Sequence, residues 1–189
     1  VADGSGNPKW IAADLLSQAE HDPRAAVFLI TPDKDFGLAV QKEMEKQMKE
    51  LSRYEIMKSS VDQYAKAFLC KDAEQCFDIV NKIAPEHLEV ELPDPKKYLP
   101  LIYNAGAIFL GKYTSEPIGD YMAGPNHTLP TSGTAAFSSP LGVYDFVKHS
   151  SVECYSEEAF RNISKKVQLF ANAEGLTAHA HAMEVRDED

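Results

Sequence analysis

Apolar positions after residue 9 recur with a helical step at Trp10, Ile11, Leu15 and Leu16, and the segment opens on Asn7-Pro8. An N-cap residue followed by proline at the first helical position starts helices, so the pattern predicts a helix from Pro8 to about His21. Ala25–Ile30 is instead a short unbroken apolar run stopped by Thr31-Pro32-Asp33, as expected of a strand covered on both faces. A charged amphipathic helix is expected from about Asp35 to Leu51. Ala67–Cys70 reads as a second strand. Asp72 then caps a helix carrying Cys76, Ile79, Val80 and Ile83, followed by Pro85. His87–Leu92 alternates apolar and polar like a strand, a short helix is expected around Tyr98–Tyr103, and Ala107–Gly111 is a further buried strand. Val1–Pro8 reads like the tail of a buried strand running into a loop, so the chain is expected to begin inside a larger protein.

Strands alternating with helices imply parallel pairing through right-handed crossovers, and therefore an α/β layered sheet. From Tyr113 to Leu141 the periodicity gives way to Gly, Pro, Ser and Thr, which predicts a long loop of the kind that usually carries function. Beyond it, Ser156 is placed as an N-cap, with Phe160, Ile163, Val167, Leu169 and Phe170 on the following helix. Gly175 breaks that helix, and a last one runs to about Glu184. The organisation expected is an α/β domain over residues 1–141 and a helical tail over residues 142–189. No G-x-G-x-x-G fingerprint occurs in the chain.

Composition narrows the function classes. With 189 residues, 44% apolar and 25% charged, the chain has the profile of an ordinary folded enzyme domain. Its 29 acidic against 19 basic side chains give a net charge of -10, and no Lys/Arg cluster exceeds a pair, which argues against a nucleic-acid partner. Three cysteines without C-x-x-C spacing argue against a disulfide framework or a structural zinc knot and fit a reducing compartment. No apolar run approaches the roughly 20 residues needed to cross a bilayer, and the first residues lack a signal-peptide pattern. A cytoplasmic protein with no membrane partner is expected.

Four places could carry chemistry. Gln18 and His21 stand at i, i+3 on the first helix and share a face. Glu86 and His87 put a carboxylic acid beside an imidazole where a helix gives way to a strand, although neighbours on a strand point to opposite faces. The loop Ile118–Thr131 holds Asp120 and His127 among several forced turns. Glu174, His179 and His181 lie near the start of the last helix. Spacing alone allows a one-metal site built from Gln, His, Asp and His. Spacing by itself favours the plainer reading of surface histidines, and an ordinary ordered loop stays open.

Taken together, LLSQAEHDP (15–23), APEHLE (84–89), GAIFLG (106–111), SEPIGDYMAGPNHTLPT (115–131) and EGLTAH (174–179) resemble the histidinol dehydrogenase family in order and spacing, over essentially the whole chain. The resemblance implies an incomplete Rossmann-like parallel sheet flanked by helices. It implies one zinc held by Gln18, His21, Asp120 and His179, with His181 a bystander. It implies acid-base steps by Glu86 and His87, and substrate contact by His127 and Glu174. His87 and the four zinc ligands also face the substrate, because zinc holds the substrate's imidazole and amino groups. The reaction implied is oxidation of L-histidinol to L-histidinaldehyde, hydration, and a second oxidation to L-histidine, using two NAD in turn. The resemblance places the family's nucleotide-contacting residues, and a G-P-S-E serine, before Val1, so no NAD contact is assigned on this chain. It also implies a homodimer in which Glu174 and His179 complete the partner's site. Two alternatives stay open: a related zinc-dependent amino-alcohol dehydrogenase, and a non-catalytic zinc-binding assembly domain.

Overall fold

The computed structural model describes residues 1–187. Helix α1 (Pro8–Ala19) opens as its sequence dictates, with Asn7 Oδ1 accepting from Lys9 N at 3.0 Å. It stops two residues before His21, which lies beyond the C-cap Glu20, so Gln18 and His21 do not share one regular helix as expected. Strand β1 (Phe28–Thr31) leads into α2 (Lys34–Gln47), whose N-cap Asp33 accepts from Phe36 N at 3.0 Å. The segment expected to remain helical to Leu51 ends instead in a 3-10 turn, Met48–Glu50.

A helix that the periodicity did not reveal follows: α3 (Tyr54–Tyr64). Much of it is polar, and it is held by Met57 in the cluster of Leu16, Ala19, Val27 and Met48 and by Ser60 Oγ donating to Ala25 O at 2.8 Å. Next come β2 (Lys66–Leu69), α4 (Ala73–Ile83), β3 (His87–Val90), a 3-10 segment at Pro95–Leu101 where a helix around Tyr98–Tyr103 was expected, and β4 (Ala107–Leu110). Asn81 ends the 3-10 segment: its Nδ2 donates to Leu101 O and its Oδ1 accepts from Tyr103 N, both at 2.8 Å.

Every named strand pair is parallel: β1 with β2 (Phe28 opposite Lys66) and β3 with β4 (His87 opposite Ala107). The two pairs are joined by Val1–Ala2, as Ala2 N donates to Ile30 O at 3.2 Å and Glu91 N donates to Val1 O at 2.8 Å. The order is therefore β2, β1, Val1–Ala2, β3, β4, with Ala2 making an isolated parallel bridge to Glu91. Burial on both faces explains the unbroken apolar run of β1. Leu29 joins Ile11, Ala12, Phe36 and Val40 of α1 and α2, whereas its neighbour Ile30 joins Cys76, Phe77, Val80, Leu88 and Val90, several of them from α4.

The stretch expected as a structureless loop contains α5 (Glu116–Tyr121) and a 3-10 turn at Thr134–Ala136. The chain divides into two compact units, Val1–Phe146 and one that begins at Val147. In the second unit, α6 (Glu157–Ala173) has Ser156 Oγ accepting from Ala159 N at 3.2 Å. Gly175 turns the chain at φ 75°, and α7 (Thr177–Asp187) extends past Glu184. Ser164 Oγ and Gln168 Nε2 each donate to Asp187 Oδ2 at 2.8 Å and tie α6 to α7. Residues 188 and 189 of the expected tail lie outside the described residues. Among the described residues no helix is long and apolar enough to cross a membrane.

Candidate metal and acid-base site

The turn from α4 into β3 sets Glu86 and His87. Ala84 ends α4 in a left-handed conformation, φ 50°, and the chain enters β3 alongside β4, with Ala107 N donating to Glu86 O at 2.8 Å. Glu86 thus precedes the pleated strand rather than sitting in it, and the alternation of strand faces does not separate it from His87. The His87 ring lies against Phe109, centroids 6.0 Å apart. Phe109 in turn reaches Gly119 of α5, where an added Cβ would stand 2.6 Å from Phe109 Cε1. The absence of a side chain at 119 lets α5 come down onto the strand and bring Glu116 and Asp120 to the imidazole.

Candidate ligand atoms of His87, Glu116 and Asp120 all lie within 4.8 Å of one another. Burial pushes the Glu86 carboxyl up from its ordinary range, aided by the charge of Asp120 and opposed by His21. Burial likewise pulls His87 down toward the neutral imidazole; Asp120 opposes this and His21 adds to it. Both effects are desolvation disfavouring charge. They place Glu86, His87, Asp120 and His21 in one electrostatic neighbourhood, although sequence separates them by up to 99 positions. Two side-chain atoms there are buried without a hydrogen-bond partner, Gln18 Oε1 and His87 Nε2, whereas buried polar atoms are ordinarily paired. A cleft of about 590 Å³ opens beside them, with Gln18, Glu86, His87, Glu116 and Ser132 in its wall.

The structure therefore brings Gln18, His21, Glu86, His87 and Asp120 to one region. His127 is exposed on the loop that follows α5, in a stretch where Asn126 Oδ1 accepts from Thr128 N at 2.7 Å. Glu174 is the exposed C-cap of α6, and His179 is exposed in the first turn of α7. Both belong to the second unit. His181 Nδ1 lies 3.5 Å from Glu184 Oε2.

Three acidic residues escaped the sequence reading. Glu116 is only 7% exposed, its Oε1 is 3.8 Å from His87 Nε2, and burial followed by the neighbouring Asp120 raises its carboxyl to about 7. Its position four residues before Asp120 was the available signal. Glu89 Oε1 accepts from Glu116 N at 2.7 Å. Burial, then the charge of Asp14, raises the Glu89 carboxyl to about 8. Asp14, itself pushed upward by burial, completes this carboxyl pair.

The donor set suits one divalent ion: an amide oxygen with nothing to bind, an imidazole and a carboxylate form the mixed N/O environment that zinc accepts. A parallel α/β domain that gathers acids and imidazoles beside a cleft defines a class of domain with a candidate metal centre. The sequence model of histidinol dehydrogenase matches residues 1–187, and the chain belongs to the histidinol dehydrogenase family. The histidinol dehydrogenase of Aquifex aeolicus is 51% identical over 189 residues, 100% of this chain and 44% of the relative. That of Clostridium acetobutylicum is 53% identical over 186 residues, 98% of this chain and 43% of the relative. The crystal structure of histidinol dehydrogenase from Elizabethkingia anophelis superposes with a TM-score of 0.92 at 36% identity, covering 99% of this chain and 43% of that one. The chain thus spans less than half the length of these relatives.

Proposed function

We propose that the chain supplies the zinc site and the acid-base residues for oxidation of L-histidinol through L-histidinaldehyde to L-histidine. The observation that carries this reading is the convergence of Glu86, His87, His21 and Asp120 beside the unpartnered Gln18 Oε1. Family membership supports the substrate.

Gln18, His21, Asp120 and His179 would hold the zinc, which supplies a fixed positive charge that orients the substrate's imidazole and amino groups. His87 takes the proton of the substrate hydroxyl at an imidazole nitrogen. Its burial favours the neutral, basic form that this needs. Glu86 takes a proton from the water that adds to the aldehyde. His127 and Glu174 contact the substrate. NAD would accept the hydride, and no residue of this chain is assigned to hold it. We assign residues 1–141 to the α/β domain and 142–189 to a tail that reaches a second copy, so that Glu174 and His179 complete the partner's site in a homodimer.

Calorimetric titration of L-histidinol into the zinc-loaded chain, beside a His179→Ala variant, tests the reading. Binding that is lost in the variant is the expected result. A folded, zinc-loaded chain that binds histidinol equally well with and without His179 would remove the tail from the site. No binding at all would remove the substrate assignment from this chain.

A further inference from the structure

Besides its general acid-base pair, the site contains a buried carboxyl to which the proposed function gives no role, that of Glu116. The residue is only 7% exposed. Glu116 begins α5, its amide is held by Glu89 Oε1 at 2.7 Å, and Gly119 keeps the helix against Phe109, the ring that backs His87. The carboxyl faces one edge of the imidazole, with Oε1 3.8 Å from Nε2, and that nitrogen is buried with no hydrogen-bond partner. A distance of 3.8 Å is within ion-pair reach and just beyond a direct hydrogen bond.

We propose that Glu116 is the positioning residue for His87: its buried carboxyl accepts the proton-bearing Nε2 edge and leaves Nδ1 as the nitrogen that meets the substrate. The physical reason is general. A neutral imidazole exists as two tautomers, and a base works only when the lone pair faces the proton to be removed. A carboxyl fixed on the opposite edge selects one tautomer and one ring orientation. Phe109 confines the ring but cannot choose between its nitrogens, because an aromatic ring offers neither a lone pair nor a strong donor. Glu116 is the acidic group that ion-pair geometry puts on that edge. Asp120, on the same helix, lies beside Glu116 and shares a side-chain hydrogen bond with it. The assignment rests on His87 being the base proposed above, yet it concerns the ring itself and can be read without substrate.

Nitrogen-15 NMR of the histidine-labelled chain tests it, with the His87 signals assigned by their loss in His87→Asn. In the unmodified chain His87 is expected in a single tautomer protonated on Nε2. Glu116→Gln, whose amide oxygen can accept the same hydrogen bond, is expected to keep that tautomer while displacing the Nε2 resonance. Glu116→Ala is expected to give a mixture of the two tautomers with unchanged far-ultraviolet circular dichroism. A single Nε2-protonated tautomer in a folded Glu116→Ala chain overturns the proposal. Should that variant not fold, an undisplaced Nε2 resonance in Glu116→Gln overturns it equally. Because these signals do not depend on histidinol, failure of the substrate assignment shows in the calorimetry and failure of the positioning role shows here.

Discussion

Gly106 has no room for a side chain. A Cβ added there would stand 2.6 Å from Glu86 O and 3.1 Å from Pro130 Cδ, and the first of these is backbone that cannot swing aside. Gly106 N also donates to Pro85 O at 2.9 Å, so the crowding would be relieved by displacing the peptide that presents Glu86 and His87. Gly106→Ala is therefore expected to lower stability by about 1–3 kcal/mol, the usual scale of overpacking, read by urea unfolding, and to weaken zinc binding in the same preparation. Unchanged stability and zinc affinity would show that the turn is more compliant than this geometry implies. At this scale type and spacing marked Gln18, His21, Glu86, His87 and Asp120 only as candidates, and the motif resemblance assigned them roles. The sequence did not disclose the geometry of Glu86 and His87, because strand alternation applies only once the strand has begun, and β3 begins at His87.

Among the elements, α5 shows why a helix can be invisible in a sequence. Six residues, Glu116–Tyr121, follow Ser115, whose side chain makes no capping hydrogen bond. The first amide is satisfied by Glu89, 27 positions earlier, and helix ends need such a partner from somewhere. That partner is itself unusual. Burial, then the charge of Asp14, holds the Glu89 carboxyl up to about 8 in the folded chain, whereas an unfolded Glu titrates near 4.3. Facing it are Asp14, Glu91 and the amino end of Val1, the first two raising its value and the last lowering it. The folded chain retains a proton that the unfolded chain releases, so stability from this group is full below about pH 4.3 and declines as pH rises toward about 8. Glu89→Gln removes that titration while keeping an oxygen for the Glu116 amide. Its stability relative to the unmodified chain is expected to rise from about pH 4.3 to about pH 8 and then level off. Thermal melts across this range check it, and a pH-independent difference would count against a raised Glu89. Helix α3 escaped notice for a related reason, as its anchoring Met57 and Ser60 are meaningful only against Leu16, Val27 and Ala25.

Across the whole molecule, large apolar side chains remain uncovered. Phe137, Tyr144 and Phe146 in the first unit, and Leu169 and Phe170 on α6, are exposed. This fits the proposed homodimer, whose interface would bury them. Sedimentation velocity is expected to show a dimer at micromolar concentration, and Leu169→Glu with Phe170→Glu to shift it to monomer while leaving helical content unchanged. A monomeric unmodified chain would argue against the swapped tail.

The sequence by itself determined most of the long helices and the strands, the parallel α/β class, and the caps at Asn7, Asp72 and Ser156. These depend on local periodicity, on side chains that bond amides two or three positions away, and on motif order. Only the tertiary structure decided that Glu116 and Glu89 belong with the site, that α5 exists at all, and that Val1–Ala2 joins the two strand pairs. Each of those rests on a contact between positions far apart in the chain. Such contacts arise from the packing of α1 and α5 against the strands, for which no local pattern is a sufficient cause.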